Sequence, residues 1–478
     1  MAEEMKTAPG PWIICLFWVL MIGWSGIFDH AVAQETGDPI QAGEAAEGKP
    51  SSFWQDHVTL GGFVRGEVHV PACYGDESER YFGTTDTYFV VTNELKAEAF
   101  FSDALSGLLN LRYRFEDIGR DVDEASLIGN HADAEFDARE AYLQFRGDWL
   151  DVTVGQQILA WGVADGINPT NRMSPNDMTL ISSDSDDRRL GVPVVKADAY
   201  LGKFTLTGVW QPFFVDSKFR LSRIPEEAEI TIEDPQLPAR RLNNATVAFK
   251  CAATLGSTDA SISYAYGWDP FPDIILGEAV MTDDVTRVSV IPVFNRVENF
   301  GADVSTVLGP VILRAEGAYT RVKERGSRSP GRQKSTIQWI AGPEMELFED
   351  FTMNVQYGVT HVLDWEPIEA DDSVIENDPQ AGVDAFNARL HRQLEEKNPM
   401  MTLRLDYQLL QDTLFLQFRG LYYFNDHELR LRPQIGYDVT DRFNVTLAAD
   451  LAFGDLDSRF DRSGKNYNEV FTELKYSF

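Results

Sequence analysis

Cysteine is scarce in this chain, with three among 478 residues. So few thiols cannot form the framework of a disulfide-stapled fold. Cys15 lies in an N-terminal apolar segment, and whether Cys73 and Cys251 pair with each other stays open. Positive charge is also in deficit, because 42 lysines and arginines stand against 75 aspartates and glutamates, a net charge of −33. A chain this acidic would repel nucleic acid phosphates, so no nucleic-acid partner is expected.

Long apolar runs and catalytic motifs are missing as well. Beyond residue 33 no apolar run reaches the roughly 18 residues of a membrane-spanning helix. None of the seven histidines stands in a His-x3-His spacing, and no Gly-x-Ser-x-Gly elbow or phosphate-binding loop occurs. The acidic loops lack the spacing of a calcium loop. We therefore expect no enzymatic activity, no cofactor and no specific metal site.

The N-terminal residues have the pattern of an export signal. Lys6 precedes an apolar run over 12–22, and a small-x-small cleavage site ends at Ala33. We therefore interpret residues 1–33 as a signal peptide that is cleaved after Ala33. Residues 34–52 are rich in Gly, Ala, Glu and Pro, which predicts a flexible periplasmic tail with little to bury.

From residue 53 onward, segments of about 10 residues alternate apolar and polar side chains. Leu109 and Leu111 share one side of such a segment, and Arg112 and Arg114 share the other. Backbone groups find no water inside a membrane, so a spanning sheet must close on itself. The pattern predicts an all-β fold, in which residues 53–478 form a single transmembrane antiparallel β-barrel.

The alternation of short turns and long polar loops sets the strand count. Eight long loops, a tight hairpin near Asn425 and Asp426 as the ninth outer connection, and eight short turns predict 18 strands, with 16 as the alternative. An even count places both ends in the periplasm, with the short turns there and the long loops outside. Leu474, Tyr476 and Phe478 share one face of the last segment, which resembles the targeting signal read by the outer-membrane barrel assembly machinery.

The predicted inward face is rich in charge. Its candidate lumen charges are Arg112, Arg114, Glu116, Arg314, Glu316, Arg404, Asp406, Arg419, Arg430 and Arg432. We expect the arginines to pair with interior carboxylates such as Glu94 and Glu140, and opposed charges of this kind select solutes by charge and size. A barrel of about 16 to 18 strands encloses an aqueous channel. The leading hypothesis is therefore passive diffusion of small solutes.

One long connection stands out. The stretch 155–177 ends a strand and opens a loop over 162–192, a length that is usually functional or disordered. Its Asn-Pro and Ser-Pro turns and its aspartate turn acceptors indicate a shaped loop. We predict that this loop folds into the barrel as a constriction, with an ordered external loop as the alternative. The candidate constriction residues are Trp161, Asp165, Asn168 and Asp177.

The same stretch resembles a block found in a little-characterised group of porin-like outer-membrane barrels of proteobacteria. The matching residues are Gly155, Gln157, Trp161, Gly162, Asp165, Asn168 and Pro169. Members of the group more often have arginine where Gln156 stands, which weakens any transfer of a pore role to that position. Some relatives are encoded beside RND-type exporters. The resemblance therefore implies a channel, and as an alternative a plugged barrel that serves a periplasmic export partner.

Acidic residues crowd several predicted loops, for example Asp184, Asp186 and Asp187. We expect them to be solvated outside the barrel, with divalent bridging to lipopolysaccharide or attraction of cations at the mouth of the barrel as the alternative. The expected location is the bacterial outer membrane, and the expected partners are its lipid, lipopolysaccharide and small solutes.

A lipid hydrolase, the remaining alternative, would need a Ser–His pair on the outer wall. His69 instead alternates with the inward face of its strand.

Overall fold

The computed structural model describes residues 57–72, 87–117, 127–128, 134–220, 228–281, 286–323, 329–368, 378–456 and 458–478. The predicted signal peptide and tail lie outside these residues, as does Cys73. Cys251 lies within a described strand as a free thiol.

Eighteen strands, numbered in chain order, form one sheet. They are β1 (Val58–Pro71), β2 (Tyr88–Ser102), β3 (Leu105–Asp117), β4 (Ala134–Arg146), β5 (Leu150–Gln157), β6 (Val192–Leu201), β7 (Phe204–Gln211), β8 (Thr246–Leu255), β9 (Thr258–Trp268), β10 (Arg296–Leu308), β11 (Val311–Lys323), β12 (Thr336–Phe348), β13 (Phe351–Val362), β14 (Lys397–Leu409), β15 (Leu414–Tyr423), β16 (Glu428–Thr440), β17 (Phe443–Phe453) and β18 (Glu469–Ser477). Each pairs antiparallel with its chain neighbours, and β1 pairs with β18, which closes the barrel. The predicted 18-stranded all-β barrel is confirmed.

Side chains alternate between the two faces of the wall. In β3, Asn110, Arg112 and Arg114 are buried, whereas Leu109 and Tyr113 are 42% and 38% exposed. Successive residues of a strand point to opposite faces, so the charged set points inward and the apolar set outward. This distribution is the reverse of a water-soluble barrel and is typical of barrels whose outer face meets lipid.

The two ends of the barrel differ in their connections. One end carries eight short turns, such as the turn at Gly309, and the other carries eight longer connections and the tight hairpin over 424–427, as predicted. Gly309 has a φ of 62°, which a two-residue hairpin turn needs and which glycine adopts without strain. Turn chemistry of this kind fixes the register of neighbouring strands and therefore the inward and outward sets.

Three of the long connections contribute to a small cap. Strands Asp273–Met281 and Thr286–Val293 form a hairpin, strand Ala228–Ile232 adds to it in parallel, and helix α1 (Pro379–Leu390) packs against it. Asp378 caps α1 by accepting hydrogen bonds from the first backbone N–H groups. The sequence predicted only a loop over 268–291. The hairpin forms because its alternating β-branched residues have a helix to pack against.

The remaining short elements are the strand pair Leu127–Ile128 and Phe219–Arg220, the 3-10 helices Ser185–Arg188 and Leu242–Asn244, and helix α2 (Arg459–Tyr467). Neither helix in the described part of the chain has the length and apolarity needed to span a membrane.

Candidate functional site

The connection between β5 and β6, residues 158–191, contacts side chains on the inward face of the barrel. We call it the lumen loop. It has an apolar base beside the strands from which it emerges, a first anchor over 163–170 and a second anchor over 182–188.

The base of the lumen loop is an apolar contact with the wall. Its buried members are Leu159, Trp161, Met173, Val192, Val194, Val209 and Ala248. Trp161 is 8% exposed, and the Lys250 ammonium lies 5.9 Å from its ring centroid. Burying a large apolar side chain in this way contributes about 2–3 kcal/mol relative to leaving it in water. Trp161 therefore fixes the loop to the wall of β6 to β8.

Glu316 of β11 forms the first anchor. Its Oε2 accepts hydrogen bonds from the backbone N–H groups of Val163 (2.8 Å) and Ala164 (3.0 Å). Its Oε1 accepts from the N–H and the hydroxyl of Thr170, both at 2.8 Å. Gly162, with a φ of 100°, passes so close that any Cβ would collide with this carboxylate. The sequence pattern placed Glu316 inside the barrel but gave no sign that the loop, rather than an arginine, is its partner.

Asp165 extends the first anchor to the next strands. Its N–H donates to Oε1 of Gln356 on β13 (3.0 Å), and its carboxylate lies 3.1 Å from Nη1 of Arg404 on β14. Arg404 also pairs with Asp406, at 2.6 Å between Nε and Oδ2. The first half of the lumen loop is therefore tied to β11, β13 and β14.

Asp187 carries the second anchor. Its carboxylate lies 2.7 Å from Arg65 Nη1 of β1 and 3.4 Å from Arg139 Nη1 of β4, and it accepts from the Ser182 hydroxyl at 2.6 Å. The Asp187 carbonyl accepts from Arg112 Nη1 of β3 (3.1 Å). Burial alone would raise the pKa of Asp187, but Arg65 and the Ser182 hydroxyl lower it to about 2. The expected solvation is wrong for this aspartate, which is 4% exposed, because its charge neutralises buried arginines.

The second anchor also reaches β15 to β18. The contacts are Arg419 Nη1 to Ser185 Oγ (3.0 Å), Arg432 Nη2 to the Ser182 carbonyl (2.5 Å), Arg188 Nη2 to Asp450 Oδ2 (3.5 Å) and Ser183 Oγ to Glu473 Oε2 (2.5 Å). In an 18-stranded barrel β11 lies nearly opposite β1. A segment tied to both of these strands must cross the interior.

Arginines outnumber acids around Asp450 of β17. Arg430 binds this carboxylate with two hydrogen bonds of 2.7 and 2.6 Å, and Arg432 Nε lies 3.3 Å from it. Arg188 of the loop is the third arginine on the same carboxylate. Burial, together with repulsion from Arg432 and Arg430, lowers the pKa of Arg188 to about 9. This part of the interior therefore carries an excess of positive charge, in contrast to the chain as a whole.

The other predicted lumen charges also lie on inward faces. Their ion pairs are Arg112 with Asp137 (3.1 Å), Arg114 with Glu116, and Arg314 with Glu344 (2.9 Å). Of the acids expected to pair with arginine, Glu94 binds Arg139 at 3.3 Å. Glu140 instead accepts from the N–H of Ile158 at the start of the loop (3.2 Å). The sequence identified inward charges, but not which strand or loop supplies each partner.

Asp177 and Asn168 shape the loop from within. The Asp177 carboxylate accepts from the N–H (3.0 Å) and hydroxyl (2.5 Å) of Thr179, a turn in which the side chain mimics backbone. The Asn168 carbonyl accepts from the N–H of Asn171 at 3.1 Å. Asp177 also pairs with Lys218 of the β7–β8 connection, at 3.6 Å between Oδ2 and Nζ. Both residues fix turns, and neither side chain contacts the wall directly.

The last strand and His69 complete the sequence-based candidates. Leu474 is 40% exposed on the outward face of β18, and Tyr476 lies on the same face because side chains alternate along a strand. Phe478 pairs with Gly62 of β1 through backbone hydrogen bonds of 3.0 and 3.1 Å. His69 is fully buried on the inward side and lies 2.8 Å from Glu469. Across the described ranges, no three His, Cys, Asp or Glu side chains are grouped to hold a metal ion.

No protein-family model matches the sequence, and no curated protein matches it. Solved structures do match. OccAB4 of Acinetobacter baumannii has a TM-score of 0.52 at 9% identity, covering 90% of this chain and 100% of that one. A BenF-like porin of Pseudomonas fluorescens Pf-5 has a TM-score of 0.51 at 14% identity over 89% and 99% of the two chains. OccK2 (OpdF) of Pseudomonas aeruginosa has a TM-score of 0.50 at 12% identity over 90% and 98%. The chain therefore has a porin-type β-barrel fold.

Proposed function

We propose that this protein is an outer-membrane channel for the passive diffusion of small solutes, with the lumen loop as its constriction. The observation that carries the proposal is that inward-facing side chains on nearly opposite strands hold the loop across the interior. The porin-type fold and the apolar outer face support the location. As in bacterial barrels generally, the end with the long connections faces the exterior.

A tethered loop and charged walls select solutes in two ways. The loop limits the size of the solutes that can pass. It stays in place because its anchors are hydrogen bonds to charged groups, which are stronger than hydrogen bonds between neutral groups. The walls select by charge, because a narrow passage with low-dielectric surroundings concentrates ions of the opposite sign. The excess of arginine near Asp450 favours anionic solutes at the constriction.

Arg419 is the sharpest probe of this selectivity. It donates to the Ser185 hydroxyl, and among the described residues no carboxylate forms an ion pair with it. We expect Arg419→Gln to lower the anion-to-cation permeability ratio about 25-fold, because one unit charge at about 4 Å in water favours an anion by about fivefold and disfavours a cation by about fivefold. Reversal potentials in a salt gradient across planar bilayers measure this ratio.

Lys397→Gln provides the control for that experiment. Lys397 begins β14 on the outward face, so its removal changes the same charge away from the lumen. We expect it to leave the permeability ratio unchanged. Equal ratios for wild type and Arg419→Gln would contradict the proposed role of the interior arginines.

The same anchors also favour a second candidate function. A loop tied on both sides of the interior is compatible with a closed barrel that acts as the outer-membrane accessory of an export system. A closed barrel predicts no conductance until the loop is removed, whereas a channel conducts with the loop in place.

A further inference from the structure

The outward face of β9 to β11 carries a cluster of cations at the end with the long connections. Glu316 and Thr320 of β11 are buried on the inward side, so Arg321 and Lys323 point outward. Their side chains are 59% and 42% exposed. Arg296 stands opposite Lys323 in the β10–β11 register, but it is 7% exposed and donates to the carbonyls of Ala245 (3.1 Å) and Asn243 (3.0 Å), so its charge is not open to the exterior. In a chain with a net charge of −33, two neighbouring exposed cations on the outer wall need a separate explanation.

The neighbouring side chains hold these cations in place. Glu298 lies 2.7 Å from Lys323 and 3.5 Å from Arg321, and it is the one carboxylate that pairs with them among the described residues. The Arg296 guanidinium lies 4.7 Å from the ring centroids of both Tyr266 and Trp268. Among the described residues, Arg321 and Lys323 share this one carboxylate, which leaves the two exposed heads with net positive charge and keeps them close together.

An aromatic row lies directly beneath the cations. Tyr264, Phe300 and Tyr319 are register neighbours on β9, β10 and β11, with ring centroids 4.9 and 6.2 Å apart. Aromatic girdles of transmembrane barrels lie where hydrocarbon meets headgroups. Arg321 follows Tyr319 by two residues, about 7 Å along the strand. The cations therefore lie at the depth of the lipid headgroups of the outer leaflet.

We propose that Arg321 and Lys323 bind a phosphate group of the lipid A part of lipopolysaccharide. The inference rests on the proposed outer-membrane location. Guanidinium groups match phosphate geometry with paired hydrogen bonds, and the lysine adds a compact charge. The aromatic row and the apolar wall below it offer a surface for acyl chains. No other component of the outer leaflet offers phosphate and acyl chains together in comparable amount.

The test uses the purified full chain in detergent, with bisphosphorylated lipid A as the probe and bound lipid counted by native mass spectrometry. Each cation near an anionic lipid surface contributes about fivefold in affinity, so we expect the double variant Arg321→Gln, Lys323→Gln to bind about 25-fold more weakly. Lys397→Gln removes an outward cation from the same rim, away from the cluster, and should leave binding unchanged. Heat-modifiable electrophoretic mobility checks that each variant is folded.

Three results would overturn the assignment: unchanged binding by the folded double variant, equal binding of lipid A stripped of its phosphates, or equally tight binding of phosphatidylglycerol. The proposed channel is tested separately by conductance. A wild type that binds lipid A through these cations but does not conduct would remove the channel proposal alone. A conducting protein whose double variant keeps full affinity would remove the lipid site alone.

Discussion

Replacing Glu316 by alanine is expected to detach the first half of the lumen loop and raise the conductance of the proposed channel. Four hydrogen bonds from Val163, Ala164 and Thr170 end on this carboxylate. A hydrogen bond to a charged group contributes about 1.5–3 kcal/mol, so the loss of even two raises the detached population about 100-fold. Single-channel recordings measure the conductance, and amide hydrogen exchange over 163–170 reports the detachment directly.

Glu344→Gln is the matched control for that change. Glu344 is an inward carboxylate on β12 that binds Arg314 at 2.9 Å and Asn354 at 3.0 Å, and it makes no hydrogen bond to the loop. We expect loop exchange and mean conductance to stay near wild type. If Glu316→Ala leaves both quantities unchanged in a folded barrel, Glu316 is not an anchor and the account of the loop is wrong.

Replacing Asp187 by alanine should release the second half of the loop. The change removes the loop carboxylate from Arg65 and Arg139, although Arg139 still donates to the Asp186 carbonyl at 2.8 Å. Removing one member of a buried ion pair costs about 3–5 kcal/mol. We expect faster amide exchange over 182–188 and frequent conductance fluctuations, because a loop held at one side moves within the lumen. The barrel should stay folded, since Arg65 keeps Glu67 at 3.3 Å.

The pH dependence of this anchor follows from the pKa of Asp187. The pKa is lowered from 3.8 to about 2 in the folded protein, so the ionised form stabilises the loop above pH 3.8 and this contribution is lost as the pH falls towards 2. The wild type should keep a steady conductance down to about pH 4. Below that it should approach the fluctuating behaviour of Asp187→Ala.

Asp186→Asn separates the anchor from general charge effects. Asp186 is the adjacent acid, and its side chain is 65% exposed. The substitution removes the same charge one residue away without touching the buried arginines. Identical recordings from Asp186→Asn and Asp187→Ala would show that loop charge, and not the buried ion pair, controls the fluctuations.

The barrel could be predicted because its determinants are local. Alternation in segments such as 109–116 assigns the faces of a strand, and turn residues such as Gly309 mark where strands reverse. Each of these signals is contained within a few residues, so a wrong assignment of one strand does not change the assignment of the next. The cap hairpin is not evident from the sequence because its partners lie far from it in the chain: it packs against α1, about a hundred residues further on.

The partners of the lumen loop could not be predicted in the same way. Asp187 contacts Arg65, and Glu316 contacts Val163, only once the 18 strands have closed into a barrel. The spacing of these residues along the chain does not indicate which of them come together. One signal was available. Val192 and Val194 are apolar on a face that elsewhere carries charge, and an apolar inward patch needs a cover. That mismatch points to Trp161 and the base of the loop.

The most direct test compares the single-channel conductance of the refolded protein with that of a form in which residues 166–187 are replaced by a short Gly-Ser linker. The account predicts a steady, ion-selective conductance for the wild type and a larger, less selective one for the shortened loop. Conductance only after the replacement would indicate a plugged barrel and favour the export-accessory candidate. Equal conductance and selectivity in both forms, or no conductance in either, would contradict the claim that this protein is a channel constricted by its lumen loop.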